Sequence, residues 1–130
     1  MIGGGDWQFS CIDARDVGRA MAHLCTVALN KPEVFLVKGY DITWLDVKSC
    51  LDRTLGRETR LVNVPRGMAI AIGWLCERLY PFGSNPPLTV FSAEVVSTDT
   101  LFDDKKIRST GFSPLYSFEE TIINALESSN

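Results

Sequence analysis

The sequence is short of most of what a self-contained catalyst needs. It has one histidine, His23, and no spacing around it supplies a second metal ligand or a serine hydrolase relay. No charge of one sign dominates. The 13 basic and 16 acidic residues leave a formal charge of −3, with Lys and Arg scattered, which gives no electrostatic footprint for nucleic acid. No run is long and apolar enough for a membrane span: the longest, residues 67–76, is about half of the roughly 20 residues required. Met1 is followed by Gly3-Gly4-Gly5-Asp6 rather than a basic start and an apolar run, so no secretory leader is expected and the expected location is cytoplasmic. The cysteines, Cys11, Cys25, Cys50 and Cys76, lie 14, 25 and 26 residues apart, too far for the close pairs of a zinc knuckle or thioredoxin-type site. Three fall among apolar residues of predicted helices, and all are expected to be small buried hydrophobes in a reducing compartment.

What is present is the material of one soluble domain. Hydrophobic residues make up 45% and charged residues 22%, a balance that excludes disorder. The spacing predicts four helices. The first covers 14–30, capped by Asp13, with Asp16 at its positive end and an apolar stripe of Val17, Ala20, Met21, Leu24 and Val27; Lys31-Pro32 ends it. The second starts at the cap Thr43, with Asp46 three residues on, carries Trp44, Val47, Leu51 and Leu55, and stops at Gly56. The third spans 65–80 and is apolar nearly all round, through Ile70, Ile72 and Trp74, so it is expected to be buried or to form half of an interface. The fourth follows the capping box of Ser117 and Glu120. Strands are predicted at 34–37 and 60–64, with weaker signals at 8–12 and 88–91, and 81–87 reads as a loop. Alternating helices and strands give an α/β domain over 1–130.

Four stretches in this order carry a resemblance. They are Ile2-Gly3-Gly4-Gly5-Asp6; then Phe9-Ser10-Cys11-Ile12-Asp13-Ala14-Arg15-Asp16-Val17-Gly18-Arg19-Ala20; then Glu33-Val34-Phe35-Leu36-Val37 with Ile42-Thr43-Trp44. The last is Phe102-Asp103-Asp104-Lys105-Lys106 with Gly111-Phe112-Ser113-Pro114 and Ser117-Phe118-Glu119-Glu120. Together they resemble the C-terminal, substrate-binding part of an extended short-chain dehydrogenase/reductase. That is the NAD(P)-dependent epimerase/dehydratase family, which includes 3β-hydroxysteroid dehydrogenases and dihydroflavonol-reductase-like enzymes. The resemblance implies the C-terminal substrate-domain portion of an extended Rossmann-type fold, with the nucleotide-binding half absent. Four positions depart from the family pattern: Phe9 where a phosphate-gripping Arg is usual, Asp13 for a common His, Thr110 for Leu and Thr121 for Gly. The Phe9 difference tilts the expectation toward a smaller or more apolar substrate than a nucleotide sugar.

The chemistry of that family is missing from these residues. Gly3-Gly4-Gly5 follows no predicted strand, opens no predicted helix and lacks a third spaced glycine, so it is not a dinucleotide loop. The Tyr-x-x-x-Lys pair fails too: four residues after Tyr40, Tyr80 and Tyr116 stand Trp44, Ser84 and Glu120. His23 is expected to be a structural histidine, Asp13 and Asp16 helix-start carboxylates, and Lys105-Lys106 a solvated edge. No catalytic, metal-binding or cofactor-binding residue is predicted; NAD(P) is implied only for the full-length family. The substrate-side candidates are Gly5, Asp6, Trp7, Gln8 and Phe9, two aromatics and an amide able to furnish an apolar wall with an orienting polar group.

The expected function is the substrate-binding portion of an NAD(P)-dependent oxidoreductase or epimerase, inactive alone. The alternative is a non-catalytic interaction module retaining the fold. Apolar surface that the missing half would cover, on the first helix and at 34–37, makes a homodimer or that missing half the expected partner. Titration calorimetry with NADH and NADPH is expected to show no binding by this chain, and a low-micromolar dissociation constant overturns the reading.

Overall fold

The computed structural model describes residues 1–27, 31–80 and 86–128. The chain divides into two compact units, one joining Met1–Phe9 to Thr43–Thr100, the other joining Ser10–Ile42 to Leu101–Asn130. The described residues contain six α-helices and a two-stranded sheet, so the chain is α/β, with two helices beyond the predicted four.

Strand β1 (Gln8–Cys11) pairs with β2 (Tyr40–Thr43), and between them runs α1 (Ala14–Thr26). Helix α1 starts where the sequence predicts, because extended Asp13 turns its carboxylate onto the Arg15 N–H at 2.8 Å. It stops at Thr26, short of the predicted end, and residues 28–30 lie outside the described residues. Its apolar stripe divides. Ala20 is buried with Ile107 and Phe112, and Leu24 packs on that core, while Val17 and Met21 face outward. The strand predicted at 34–37 does not form. Its in–out alternation is there, with Phe35 and Val37 on the core and Val34 and Leu36 exposed, but it joins no β-ladder. Instead Lys106 donates to the Val34 carbonyl at 2.8 Å and pairs with Glu33 at 2.9 Å, so Lys106 is more than the solvated edge expected of it.

The same unit holds α5 (Lys105–Arg108) and α6 (Phe118–Glu127), the latter opened by the predicted capping box of Ser117 and Glu120. Asp16 ties these pieces together. Its side chain has no solvent exposure; it accepts from the backbone N–H groups of Leu115 and Tyr116 at about 3 Å and from Arg19 at 2.5 Å. Asp13, also buried, accepts from Arg15 and from the Thr121 hydroxyl at 2.8 Å. His23 Nε2 meets the Thr110 hydroxyl and carbonyl at 2.9 and 3.1 Å, the structural role expected of it.

In the other unit, α2 (Trp44–Leu55) has the predicted Thr43–Asp46 capping box and ends at Gly56 in the left-handed conformation, φ +64°. Helix α3 (Arg66–Leu79) follows Pro65, and α4 (Val90–Val96) occupies part of the stretch predicted as a strand over 88–91. There the Thr89–Ser92 capping box stops the extended run. Gly73 brings α3 against the start of α4; a Cβ on it would lie 2.8 Å from the Thr89 carbonyl carbon. The strand predicted at 60–64 contracts to one parallel bridge between Val64 and Ile2. Of the loop predicted at 81–87, residues 81–85 lie outside the described residues. The cysteine expectation holds fully only for Cys50; Cys11 and Cys76 are half-buried and Cys25 is exposed. No helix among the described residues is long and apolar enough to cross a membrane.

Burial alone raises the Asp16 pKa, but the Tyr116 N–H, Arg19 and Leu115 N–H outweigh it and hold it below the usual carboxylate range. Arg15 holds Asp13 well below that range too. Both groups bind fewer protons folded than unfolded. Their stabilisation is therefore complete above the unfolded carboxylate pKa of about 4 and is lost as pH falls through the folded values. Asp16→Asn is expected to cost about 2–3 kcal/mol at neutral pH and to reduce the loss of stability between neutral pH and pH 3, as read from urea midpoints.

Candidate functional site

The candidate site lies in the unit that contains Met1–Phe9. The backbone of residues 1–3 runs beside 62–64: the Met1 backbone nitrogen donates to the Val62 carbonyl at 2.7 Å, Val64 to Met1 at 2.8 Å and Gly3 to Val64 at 2.9 Å. The chain then turns through Gly3, Gly4 and Gly5, all in the positive-φ region (+64°, +89° and +83°) that side-chain-bearing residues rarely adopt. Asn63 accepts the Gly4 N–H, fixing the turn from the neighbouring segment. The turn needs its glycines for close approach as well. A Cβ on Gly3 would lie 2.9 Å from the Trp7 indole nitrogen, and one on Gly5 would overlap the Met1 sulfur.

The five predicted residues divide by role. Gly5 is buried in the turn and Asp6 is exposed. Trp7 lays its indole over Gly3; its buried Nε1 is without a hydrogen-bond partner. Gln8 is held by its backbone, which donates to the Asp99 carboxylate and accepts from Thr100, each at 2.8 Å, while the residue remains exposed. Phe9 stacks against Trp44 with ring centroids 4.6 Å apart.

Trp44 leads to the space that sequence reasoning missed. A cavity of about 250 Å³ is lined by Met1, Ile2, Trp44, Leu61 and Val96. A second, of about 200 Å³, shares Met1, Trp44 and Leu61 and extends along α2 past Val47 and Leu51 to Lys48, Asp52 and Thr59. The first is walled by apolar side chains alone; the second ends in an ion pair of Lys48 with Asp52, which also accepts the Thr59 N–H at 3.0 Å. Of the predicted five, Phe9 reaches this space indirectly, by backing Trp44. The walls are collected from segments 17 to 95 positions apart in sequence (between Trp44 and Leu61, and between Met1 and Val96), which no local pattern in the sequence connects.

The cavity is suited to holding an apolar or aromatic group. Two neighbouring side chains of nucleophilic type, Ser10 and Cys11, are held in unreactive states. The Ser10 hydroxyl donates to Asp41 at 2.5 Å and accepts the Phe102 N–H, and burial together with the Asp41 charge pushes the Cys11 thiol pKa up, away from the reactive thiolate. Among the described residues no group of three or more His, Cys, Asp or Glu is arranged to hold a metal ion.

No family model matches the sequence, and a search of curated proteins finds no match. Among solved structures, the chain is similar to the crystal structure of gox2253, with a TM-score of 0.63 at 15% sequence identity. The likeness covers 95% of this chain and 38% of that one, so the chain spans well under half the length of the structure it matches. At that identity the likeness is one of fold.

Placing a side chain on the glycine turn tests its coupling to Trp7. Gly3→Ala is expected to cost about 1–2 kcal/mol, from the left-handed backbone and the displaced indole. A shift in tryptophan emission should accompany the loss in a urea titration, and unchanged stability and emission would show the turn to be pliant.

Proposed function

We propose that this chain is the substrate-binding portion of an NAD(P)-dependent oxidoreductase or epimerase of the extended short-chain dehydrogenase/reductase kind, inactive without a nucleotide-binding half. The observation that carries the reading is the meeting of its second and last motif stretches. Asp16, in the Asp-Val-Gly-Arg-Ala segment, accepts the N–H groups of Leu115 and Tyr116, which lie between the Gly-Phe-Ser-Pro segment and the Ser117 cap. Motifs that resemble one family in their order thus also serve one another in three dimensions. The fold likeness to one part of a longer chain supports the same reading. In this reading NAD(P) is held by a nucleotide-binding half, and the role of these residues is to hold the substrate.

The apolar walls at Trp44, Leu61 and Val96, with Phe9 behind Trp44, favour an aromatic or alicyclic substrate over a nucleotide sugar. A second reading, a non-catalytic interaction module that keeps the fold, draws support from the exposed large side chains of α3.

NMR titration of the ¹⁵N-labelled chain separates these. A bicyclic aromatic ketone is expected to shift the Trp44 indole signal in a saturable way, and UDP-glucose is expected to leave it in place. Saturable binding of UDP-glucose with no response to the ketone would overturn the assignment of substrate class. Absence of any small-molecule response would favour the interaction module.

A further inference from the structure

Helix α3 has two apolar faces of opposite character. Ala69 and Gly73 form the small-residue face, both buried, with Gly73 against Thr89 and Val90. The other face carries Met68, Ile72, Leu75 and Leu79, which are 56%, 42%, 49% and 70% exposed. Their spacing is 4, 3, 4, which on a helix places all four in one narrow row, the geometry of a helix-pairing seam. That spacing is the same read from either end.

We infer that the Met68–Ile72–Leu75–Leu79 row is a self-association surface on which a second copy of this chain docks its own α3 antiparallel, about a two-fold axis between Ile72 and Leu75. The palindromic spacing argues for this occupant. A two-fold contact must be complementary to itself, and antiparallel pairing sets Met68 against the partner's Leu79 and Ile72 against the partner's Leu75, leaving no row position unmatched. Antiparallel helices also oppose their macrodipoles favourably. Exposed Ala71 flanks the row, without bulk to hold a second helix away.

The area is consistent with a modest dimer. With residues of this class presenting on the order of 150–200 Å² each, the row leaves roughly 300–450 Å² uncovered. That is within the size of functional patches on monomers. Two such rows and their rims reach the lower end of specific interfaces, about 1,200 Å² in total. The association is therefore expected to be in the micromolar range and concentration-dependent. It does not depend on the proposed function.

Sedimentation equilibrium of the whole chain between about 5 and 300 µM is the test. The wild-type mass is expected to rise from 14.4 kDa toward twice that value. The double variant Ile72→Glu/Leu75→Glu is expected to weaken association at least ~30-fold, a change readily read as a dissociation constant. Its circular dichroism should not change, because both side chains are already exposed in the single chain. On mild oxidation, Ile72→Cys is expected to give a 72–72 disulfide identified by peptide mass, whereas Met68→Cys gives no 68–68 link; a 68–68 link forming as readily as the 72–72 link would mean a parallel pair and overturn the antiparallel docking. A wild-type chain that stays monomeric throughout overturns the inference, as does a double variant that dimerises as tightly as wild type. A monomer that co-sediments with phosphatidylcholine/phosphatidylglycerol vesicles would also overturn it and make the row a lipid-facing surface.

Discussion

A carboxylate with no access to water cannot stand alone, and the unit built on α1 is arranged around that requirement at Asp16. Its charge is offset by Arg19 and by two backbone N–H groups that come from a segment about 100 positions away in sequence, Leu115 and Tyr116. Because the donors from that distant segment are main-chain groups, the path of residues 115–116 is fixed to within hydrogen-bond tolerance. Ser117 follows at once and caps α6, so the start of that helix is set by the same contact. Asp13 repeats the arrangement one turn earlier, reaching Thr121 in the first turns of α6. The positive end of the α1 dipole favours both charges. A helix start that looks, in sequence, like two ordinary capping acids is the clamp between the two chain segments of this unit.

That outcome shows which features local reasoning reaches. The caps at Asp13, Thr43 and Ser117 and the stop at Gly56 are written within four residues of where they act, and each is found at its predicted position. Strands are different, because a strand exists only if a partner presents a matching edge. Residues 34–37 alternate as a strand should, yet satisfy that pattern through packing on Ala20, Ile107 and Phe112 without joining a ladder. Residues 60–64 meet a partner at one position, Val64. Over 88–91 the β-branched run misleads, because Thr89 and Ser92 cap each other and Ala93 supplies a small buried contact for α4. The signal was a Thr-x-x-Ser box, weaker than the Glu- or Gln-bearing form.

The site follows the same division. Trp7 and Phe9 stand close together in the sequence and are read from it as a pair, but of the two only Phe9 meets a wall residue, Trp44. The cavity walls are not legible there, since Ile2, Trp44, Leu61 and Val96 become neighbours only after α2 and the 1–3/62–64 backbone pair have formed. The glycine turn connects the two. Gly3, Gly4 and Gly5 carry the chain from its pairing with residues 62–64 to the Trp7–Phe9 stretch, and Gly3 allows the Trp7 indole to lie against the backbone. These glycines serve as a hinge of shape, which explains why they resemble a phosphate loop in composition but not in setting.

Helix α3 gives the clearest case of a pattern that sequence detects but cannot orient. Apolar residues on nearly every side imply burial, yet only the small-residue face is buried within the chain. The reason is size. Ala69 and Gly73 let α4 come close enough for backbone contact, and a helix that packs this closely on one side cannot also bury a row of Met, Ile and Leu on the adjacent side in a unit this small. The large residues stay exposed within the chain's own fold. Tight internal packing through small residues and an outward row of large ones are thus two results of a single helix composition.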